Sequence, residues 1–325
     1  MNCISFQKII LALAILVLSS NESIAQQTAQ KFTQQMNYLL ALPDGYEKDT
    51  TTKWPLVIFL HGSGERGNDL EKVKKNGPPK LVEQGRKFPF ILVSPQAGPE
   101  AAWDAETLYR MEQYLKKEYR VNSNKVYLTG LSMGGYGTWD LAMKHPEEFA
   151  AIAPICGGGD ASGAWKLRNI PIWCFHGAKD NVVPLAASEN MVKAAKEYNH
   201  DVKFTVYPNA NHNSWDESYN NDSLYTWLLS KNRYVYKEAP VKPAVLKPLS
   251  GKYIGTDKDT VSLVVAKGGL LARTRQDTIP LKSSGNNIFF IDAYKPMDIR
   301  FQQTKSGNVS FLFLGDRKLL YQKIK

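Results

Sequence analysis

Cysteine is scarce in this chain of 325 residues, which contains only Cys3, Cys156 and Cys174. Three cysteines are too few for a disulfide-rich scaffold or for a zinc cluster built on thiolates. Glycine (23 residues) and proline (17 residues) occur at average frequency, which excludes collagen-like and low-complexity proteins. The sequence has no internal repeat, and no stretch after the N-terminal segment is long and apolar enough to cross a bilayer.

Acidic residues are outnumbered, because 41 Lys and Arg face 31 Asp and Glu, and the formal net charge is +10. With 43% hydrophobic and 11% aromatic residues, the chain can bury a core. A basic excess first suggests nucleic acid as a partner, since clustered Lys and Arg displace counterions from phosphates. Here the lysines are scattered and no nucleic-acid-binding motif is present. We therefore expect no nucleic-acid partner, and instead attraction to acidic polysaccharide or an anionic envelope surface.

Residues 1–25 have the form of a secretory signal peptide. Lys8 provides the positive start, Ile9–Leu18 is an unbroken apolar run, and Ser23–Ala25 provides small residues at the cleavage spacing. The run has 10 residues, whereas a membrane-spanning helix needs about 20. We therefore expect cleavage, and a secreted or periplasmic protein, rather than an uncleaved anchor. Both remaining cysteines lie in apolar runs and are expected to be free, buried thiols.

From residue 36 to about residue 230, short apolar runs alternate with longer amphipathic stretches. The candidate strands are apolar without alternation, which is typical of a parallel sheet covered on both faces. They are 36–42, 56–60, 90–94, 126–130, 150–155, 172–175 and 203–207. The candidate helices are 105–118, 134–144, 184–198 and 218–229. This order predicts an α/β fold, a three-layer sandwich with a mostly parallel sheet, over residues 30–236.

Three prolines punctuate residues 237–249, which predicts an extended linker. Beyond it, short strand-like runs alternate with turns rich in glycine and asparagine. The candidate strands are 261–266, 270–273, 287–291, 298–302 and 309–314. Residues 250–325 are therefore predicted to form a small all-β domain of hairpins, a sandwich or a partial barrel.

Ser132 is the candidate nucleophile. It lies in Gly130-Leu-Ser-Met-Gly134, directly after a candidate strand and directly before a glycine-rich helix. A sharp strand-to-helix turn exposes the hydroxyl of such a serine, and the glycines leave room for the turn. The five-residue string alone is a weak signal, but its strand–turn–helix context favours a nucleophile over a serine in a surface turn.

A serine hydroxyl needs a base to accept its proton and an acid to hold that base in the right tautomer. In folds with this turn the acid and then the histidine follow the nucleophile along the chain. Only His212 follows the last candidate strand of the sheet, so it is predicted to be the general base and then the general acid. His145 and His200 are expected to be exposed or to cap a helix. His61 and His176 each end a buried strand, where we expect a neutral imidazole bonded to the backbone.

Asp180 is the preferred candidate for the acid. It follows the strand 172–175 in a loop, which should lie at the carboxyl edge of the sheet beside the nucleophile. The structural alternative is a cap for the next helix, but that helix is expected to begin only at Pro184. Asp160 and Asp216 remain as alternatives.

Negative charge that develops on a substrate carbonyl oxygen must be met by backbone N–H groups, the oxyanion hole. The N–H of Met133, next to the nucleophile, is predicted to be one donor. The other is expected from the glycine-rich loop His61–Gly67, where we choose Ser63. This loop lacks the Gly-Lys-Ser/Thr ending of a phosphate-binding loop. We expect no metal site, and this chemistry needs no cofactor.

Several strings follow one another in the order of a known family: Leu60–Gly67, Ser94–Gln96 with Trp103, Gly130–Gly135, Pro154–Asp160, His176–Asp180 and His212–Trp215. They resemble the secreted esterase branch of the α/β-hydrolase superfamily. That branch includes feruloyl and acetylxylan esterases, polyhydroxybutyrate-depolymerase-like proteins and "predicted peptidases" akin to prolyl oligopeptidase.

This resemblance implies the α/β-hydrolase fold and a Ser132–His212–Asp180 triad. It also implies that Gln96, Trp103 and Trp215 line the substrate cleft, although simple core packing is the alternative for each tryptophan. Residues 250–325 are similar to the small β-domain appended to some serine β-lactamase-related hydrolases. That similarity implies an accessory or substrate-presenting module.

The sequence thus predicts a serine carboxylic-ester hydrolase that acts on carbohydrate esters, such as acetyl or feruloyl groups on plant polysaccharide. A serine peptidase of the prolyl-oligopeptidase type would use the same chemistry, but the chain has neither the mass nor the repeats for the propeller typical of those enzymes. The alternative from another class is a non-catalytic carbohydrate-binding protein on a hydrolase scaffold. The complete set of triad residues argues against it.

Overall fold

A computed structural model describes residues 36–266, 269–285, 287–303 and 308–324. This part of the chain forms an α/β region followed by an antiparallel β barrel. None of its helices is long and apolar enough to cross a membrane. The predicted signal peptide, residues 1–25, and the predicted domain start at residue 30 lie outside the described residues.

A seven-stranded sheet forms the centre of the α/β region, with the strand order β1-β3-β2-β4-β5-β6-β7. Its strands are β1 (Tyr38–Ala41), β2 (Trp54–Leu60), β3 (Ile91–Pro95), β4 (Val121–Leu131), β5 (Ala151–Ile155), β6 (Ile172–Gly177) and β7 (Val202–Tyr207). β1 pairs antiparallel with β3, and every other neighbouring pair is parallel. The predicted mostly parallel sheet is confirmed.

Helices cover both faces of this sheet. They are α1 (Gly77–Glu83), α2 (Ala105–Glu118), α3 (Met133–Lys144), α4 (Leu185–Lys196), α5 (Trp215–Tyr219) and α6 (Asp222–Ser230). Because successive side chains of a strand point to opposite faces, Ile58 of β2 packs in the core with α2, α3 and α4. Its neighbour Phe59 packs in the core with α1 and α6. The predicted three-layer sandwich is therefore confirmed.

Two helical segments differ from the sequence prediction. Residues 77–83 form α1, which was not predicted because the segment is short and contains Pro78 and Pro79; prolines are accepted in the first helical turn, where no N–H is needed. The single helix expected over 218–229 is divided into α5 and α6. The division occurs because the Asn221 side chain accepts a hydrogen bond from the Ser223 N–H and starts a new helix.

Strands β8–β15 close into an eight-stranded antiparallel barrel, in the order β10-β11-β12-β13-β14-β15-β8-β9. They are β8 (Gly251–Gly255), β9 (Thr260–Ala266), β10 (Gly269–Arg273), β11 (Thr278–Gly285), β12 (Ile288–Phe290), β13 (Asp298–Gln303), β14 (Val309–Leu314) and β15 (Lys318–Ile324). The predicted all-β domain is confirmed, and the sheet is closed rather than a sandwich or a partial barrel. β8, β11 and β15 were not predicted, because glycine, serine, proline or lysine interrupts the apolar pattern of β8 and β11, and two lysines and a glutamine interrupt that of β15.

The segment predicted to be an extended linker contains a helix, α7 (Pro243–Leu249). Pro243 occupies the first helical turn, and Leu246 and Leu249, three residues apart, share one face of the helix. Both leucines are buried in the barrel core with Tyr253. The extended prediction is therefore wrong for residues 243–249, because these prolines and leucines fit a helix that packs on the barrel.

Candidate active site

Ser132 lies in a sharp turn between β4 and α3, with φ 52° and ψ −117°. Positive φ is a strained conformation for a residue with a side chain, and it persists only where the surroundings enforce it. The Ser132 N–H donates to the Ile155 carbonyl at 3.0 Å, and the Ser132 carbonyl accepts from the Tyr136 N–H at 3.1 Å. Gly134 makes the turn possible, because a Cβ there would lie 1.9 Å from the Leu60 carbonyl oxygen.

The three residues predicted to form a triad lie in one hydrogen-bonded row. His212 Nδ1 lies 2.8 Å from Asp180 Oδ2, and His212 Nε2 lies 2.9 Å from Ser132 Oγ. Because a carboxylate only accepts, the proton of the neutral ring belongs on Nδ1, and Nε2 is free to accept the hydroxyl proton. The alternative acids make other contacts: Asp160 caps a 3₁₀ helix, and Asp216 lies 3.8 Å from Lys80.

Asp180 is held from several sides. Its side chain is fully buried, and Oδ1 accepts hydrogen bonds of 2.9 Å from the backbone N–H groups of Val182 and Val183. Burial acts to raise the pKa of Asp180, but the hydrogen bonds from His212 and from these N–H groups outweigh it, and the pKa is lowered. The carboxyl group therefore stays ionised and can orient the imidazole of His212.

His176 is a second histidine on the same carboxylate. This buried ring places Nε2 3.2 Å from Asp180 Oδ2 and 2.9 Å from the Val183 carbonyl oxygen, and Nδ1 2.7 Å from Ser188 Oγ. Since both oxygens near Nε2 only accept, Nε2 carries a proton. The backbone contact agrees with the sequence prediction, but the contact with the acid was missed. Its only sequence signal is the four-residue spacing from Asp180.

His61 has the structural position expected of it. Its buried ring donates from Nδ1 to the Gly62 carbonyl at 2.6 Å and accepts at Nε2 from the Ala97 N–H at 3.0 Å. Burial lowers the pKa of His61, so the ring stays neutral and both of its nitrogens remain paired. His61 thereby fixes the start of the loop 61–67.

The loop 61–67 passes beside the nucleophile, since a Cβ built on Gly62 would lie 3.6 Å from the Cβ of Ser132. Ser63 begins a 3₁₀ helix (Ser63–Glu65), and Met133 begins α3. A residue at the start of a helix has no intrahelical acceptor for its N–H. The N–H groups of Ser63 and Met133, the expected oxyanion donors, are therefore both at helix starts, where they are free to bind an anionic oxygen. Their role as the oxyanion hole stays a prediction.

Gln96 and Trp103 brace this loop from below. Gln96 Nε2 donates to the carbonyls of Glu65 and Asp69 at 2.8 and 2.7 Å, and Trp103 Nε1 donates to the His61 carbonyl at 3.1 Å. Both side chains are buried and both donor groups are bound to the loop. The donor groups of both side chains are thus occupied by backbone carbonyls, and the substrate-cleft role implied for them stays a prediction.

Trp215 is placed differently, at the start of α5 beside the triad. Its ring packs edge-to-face on His212, with centroids 5.1 Å apart and an interplanar angle of 83°. Trp215 is half-buried, so it can still face a substrate, and its cleft role stays a prediction.

The sequence analysis did not identify Glu65. This buried carboxylate lies in the loop 61–67, and it accepts a hydrogen bond from the side-chain amide of Asn76.

Cys156 lies behind the triad, with its sulfur and one atom each of Asp180 and His212 all within 4.8 Å of one another. Such a group could ligate a metal only with a deprotonated thiol. Burial raises the pKa of Cys156 to about 12. Asp180 and His212 are hydrogen-bonded to each other, and His212 also to Ser132, so their facing atoms already have partners. Cys156 and Cys174 are buried free thiols, as predicted.

Ser132 is a strained serine directly after a parallel strand, and the triad residues follow one another in the chain order Ser132, Asp180, His212. Together these features define a serine-hydrolase site on an α/β-hydrolase fold. Residues 97–236 match the model of the dienelactone hydrolase family. This match covers less than half of the chain.

Among curated proteins, the chain is similar to a bifunctional acetylxylan esterase/xylanase of Neocallimastix patriciarum, with 30% identity over 186 residues, 53% of this chain and 26% of that protein. It is also similar to a probable feruloyl esterase C of Aspergillus terreus, with 25% identity over 169 residues, 49% of this chain and 62% of that protein. The chain thus spans less than two thirds of either relative. Among solved structures, a thermostable esterase is 33% identical with a TM-score of 0.53, over 61% of this chain and 60% of that one.

Proposed function

We propose that this protein is a serine carboxylic-ester hydrolase that acts on carbohydrate esters. The observation that carries the proposal is the hydrogen-bonded row Asp180–His212–Ser132, with the serine held in the strained turn. The names of the two curated relatives, an acetylxylan esterase/xylanase and a feruloyl esterase, support acetyl and feruloyl groups on plant polysaccharide as the acyl groups removed.

In the proposed mechanism, His212 Nε2 takes the proton of Ser132 as the oxygen attacks the ester carbonyl carbon. Asp180 stabilises the imidazolium that forms, and the N–H groups of Met133 and Ser63 bind the developing oxyanion. His212 then gives its proton to the departing sugar oxygen, which leaves an acyl group on Ser132. A water molecule, deprotonated by His212, releases the acid and restores the serine.

The test of the mechanism is Ser132→Ala, assayed on acetyl and feruloyl esters. We expect kcat to fall by about 10⁴-fold or more, as for loss of a nucleophile. The matched control is Ser223→Ala, an exposed serine on α6, which should keep full activity. Full activity in Ser132→Ala would refute the mechanism. A serine-reactive fluorophosphonate should label Ser132, and absence of the adduct would favour a non-catalytic binding protein instead.

The substrate class is tested by a panel of acetyl, feruloyl and glucuronoyl sugar esters beside peptide amides. We expect the highest kcat/KM on acetyl or feruloyl esters. A higher kcat/KM on the peptide amides would replace the esterase proposal by a peptidase, and a preference for glucuronoyl esters would change the acyl group.

Export is part of the proposal, with residues 1–25 as the cleaved signal peptide. The apolar run Ile9–Leu18 and the small residues before Gln26 support it. N-terminal sequencing of the protein recovered from the periplasm or the medium should begin at Gln26. Recovery only from the cytoplasm, with residues 1–25 attached, would contradict export.

We further propose that the net charge of +10 attracts the enzyme to acidic polysaccharide or to an anionic envelope surface. The charge survives cleavage, since residues 1–25 contain one Lys and one Glu. We expect kcat/KM on uronate-bearing esters to fall between low and physiological ionic strength, with neutral esters as the control. Equal salt dependence for both substrates would remove this role.

A further inference from the structure

The C-terminal barrel encloses a cavity of about 590 Å³. This volume lies within the range of about 300–1,000 Å³ found for small-molecule sites, and barrels of eight strands are wide enough to hold one small ligand. The inward-facing side chains that line the cavity are mainly apolar. They include Val261, Leu263, Leu281, Ile299, Phe311 and Leu319.

One end of the barrel is closed. Leu246 and Leu249 of α7 pack into the barrel core together with Tyr253. Next to them, aromatic rings fill the interior: Phe301 packs on Phe289 and on Phe311 with centroids 5.5 and 5.4 Å apart. The helix and these rings form a floor, so the cavity has a closed base.

The other end of the barrel is the mouth. The cavity is lined there by residues from the connections β8–β9, β10–β11, β12–β13 and β14–β15, namely Asp259, 274–277, Met297 and 316–317. Just inside the mouth, Ile279, Ile291 and Phe313 are only partly buried. Large apolar side chains that stay partly exposed inside a concave site gain free energy when a ligand covers them.

The charges at the mouth have both signs. Arg275 and Asp277 lie in one connection, and Asp316 and Arg317 lie in another. Arg317 lies 3.6 Å from Asp257 and is partly neutralised by it. Asp259 adds a third carboxylate to the cavity lining at this end. The mouth therefore offers Arg275 to an anionic end group and carboxylates to a hydroxyl group, while the interior favours an apolar body.

We propose that the barrel is a binding site for one small amphiphile, whose acyl chain or aromatic ring occupies the apolar interior and whose polar end stays at the mouth. This site is separate from the triad and does not depend on the proposed esterase activity. Because its base is closed by α7, the ligand enters and leaves through the mouth.

The test uses the full chain carrying Ser132→Ala, so that no ester chemistry can interfere. The probe is N-phenyl-1-naphthylamine, a neutral apolar dye that becomes fluorescent in apolar sites. We expect saturable binding of one dye per chain, displaced by dodecanoate and by dodecanol but not by glucose. The absence of saturable binding would overturn the proposal, and so would displacement by glucose.

The location of the site is tested by Ala272→Phe, which fills the cavity with an apolar ring. Ala272 is buried and lines the cavity. Leu271→Phe is the matched control, because the neighbouring residue of β10 points to the opposite face. We expect Ala272→Phe to weaken dye binding at least tenfold with little change in Tm, and Leu271→Phe to bind as before. Unchanged binding in Ala272→Phe would place the dye elsewhere and refute the barrel site.

If Ala272→Phe fails to fold, Ile279→Lys at the mouth replaces it, with Thr278→Lys on the exposed face of β11 as its control. A charge near the interior should weaken dye binding at least tenfold in Ile279→Lys only. Equal binding by these two variants would equally refute the site.

Discussion

At the scale of single residues, Asp180 is the most constrained group of the site. Two backbone N–H groups bind one of its oxygens, and the rings of His212 and His176 both approach the other. A carboxylate with so many donors cannot rotate away from His212. We therefore expect His176, which lies 3.2 Å from Asp180 Oδ2, to act as a positioning residue through Asp180.

We expect His176→Phe to lower kcat by about 10-fold, with KM nearly unchanged, because it removes the ring N–H that lies 3.2 Å from Asp180 Oδ2, and a polar contact with a charged group contributes on the order of 1–2 kcal/mol. His176→Gln, which keeps a side-chain N–H donor, should recover part of the loss. Steady-state kinetics on one ester substrate measures both variants, with His200→Gln as the control in an exposed turn. A kcat for His176→Phe equal to that of the unmodified protein would show that the contact with Asp180 does not position it.

At the scale of helices and strands, α2 carries a buried carboxyl group on its inner face. Burial raises the pKa of Glu112 to about 7; Lys116 opposes this rise and Glu148 adds to it. The pKa in the folded protein is above the ordinary value of 4.5, so the folded state holds a proton that the unfolded state has lost between these two pH values. The free energy of unfolding therefore falls as pH rises through this window.

Because the raised pKa lowers the free energy of unfolding at high pH, we expect Glu112→Gln to raise that free energy by up to about 3 kcal/mol at about pH 8. Near pH 4.5 the variant and the unmodified protein should be about equally stable. The amide stays neutral and pays no cost of burying a charge. Denaturant unfolding at the two pH values measures the difference. Glu118→Gln, at an exposed position of the same helix, serves as the control. An equal gain at both pH values would contradict the assigned pKa shift.

The helix α7 is expected to stabilise the barrel. Leu246→Ala removes a side chain that is 2% exposed in the barrel core, and such truncations cost about 2–5 kcal/mol. Val245→Ala, whose side chain is 45% exposed, should change stability by less than about 0.5 kcal/mol. Denaturant unfolding followed by circular dichroism compares the two variants. Similar stability of both would mean that the helix does not close the barrel in solution.

At the scale of the whole molecule, a buried ion pair joins the α/β region to the barrel. Arg168 follows the 3₁₀ helix Ala161–Leu167, and its Nε donates to Asp298 Oδ1 of β13 at 2.6 Å. The same guanidinium donates to the carbonyls of Leu314, at 2.8 Å, and Pro296. Both charged side chains are almost completely buried, and the other oxygen of Asp298, Oδ2, accepts a hydrogen bond of 2.8 Å from Arg300 Nε, so the carboxylate is paired on both sides.

Arg168→Met should destabilise the protein by up to about 3 kcal/mol, because it removes the fully buried partner of Asp298 and leaves only Arg300 to compensate the buried charge. The double variant Arg168→Met with Asp298→Leu should recover a large part of that loss. Breaking the exposed pair Lys282–Glu238 with Glu238→Gln should cost less than about 1 kcal/mol. Denaturant unfolding measures all of them, and additive effects of the two buried substitutions would argue against coupling across the interface.

Much of the molecule follows from short-range patterns. Ser132 and its glycines, the apolar strands β2 and β4, and α2 are encoded by neighbouring residues, so both the sheet and the candidate nucleophile could be predicted. His212 and Asp180 could be predicted as well, because the parallel sheet places the loops after its strands at one edge. α1 and α7 could not, since a few residues rich in proline lack a clear helical period.

The sequence by itself determined the two-part organisation, the α/β class and the order of the triad residues, because each depends on local periodicity and on chain order. The tertiary structure alone decided that His176 reaches Asp180, that Gln96 and Trp103 brace the loop 61–67, and that the C-terminal strands close around a cavity. These features depend on which distant side chains meet once the sheet and the barrel are packed. The direction of a side chain in a packed core is not encoded in its neighbours along the chain.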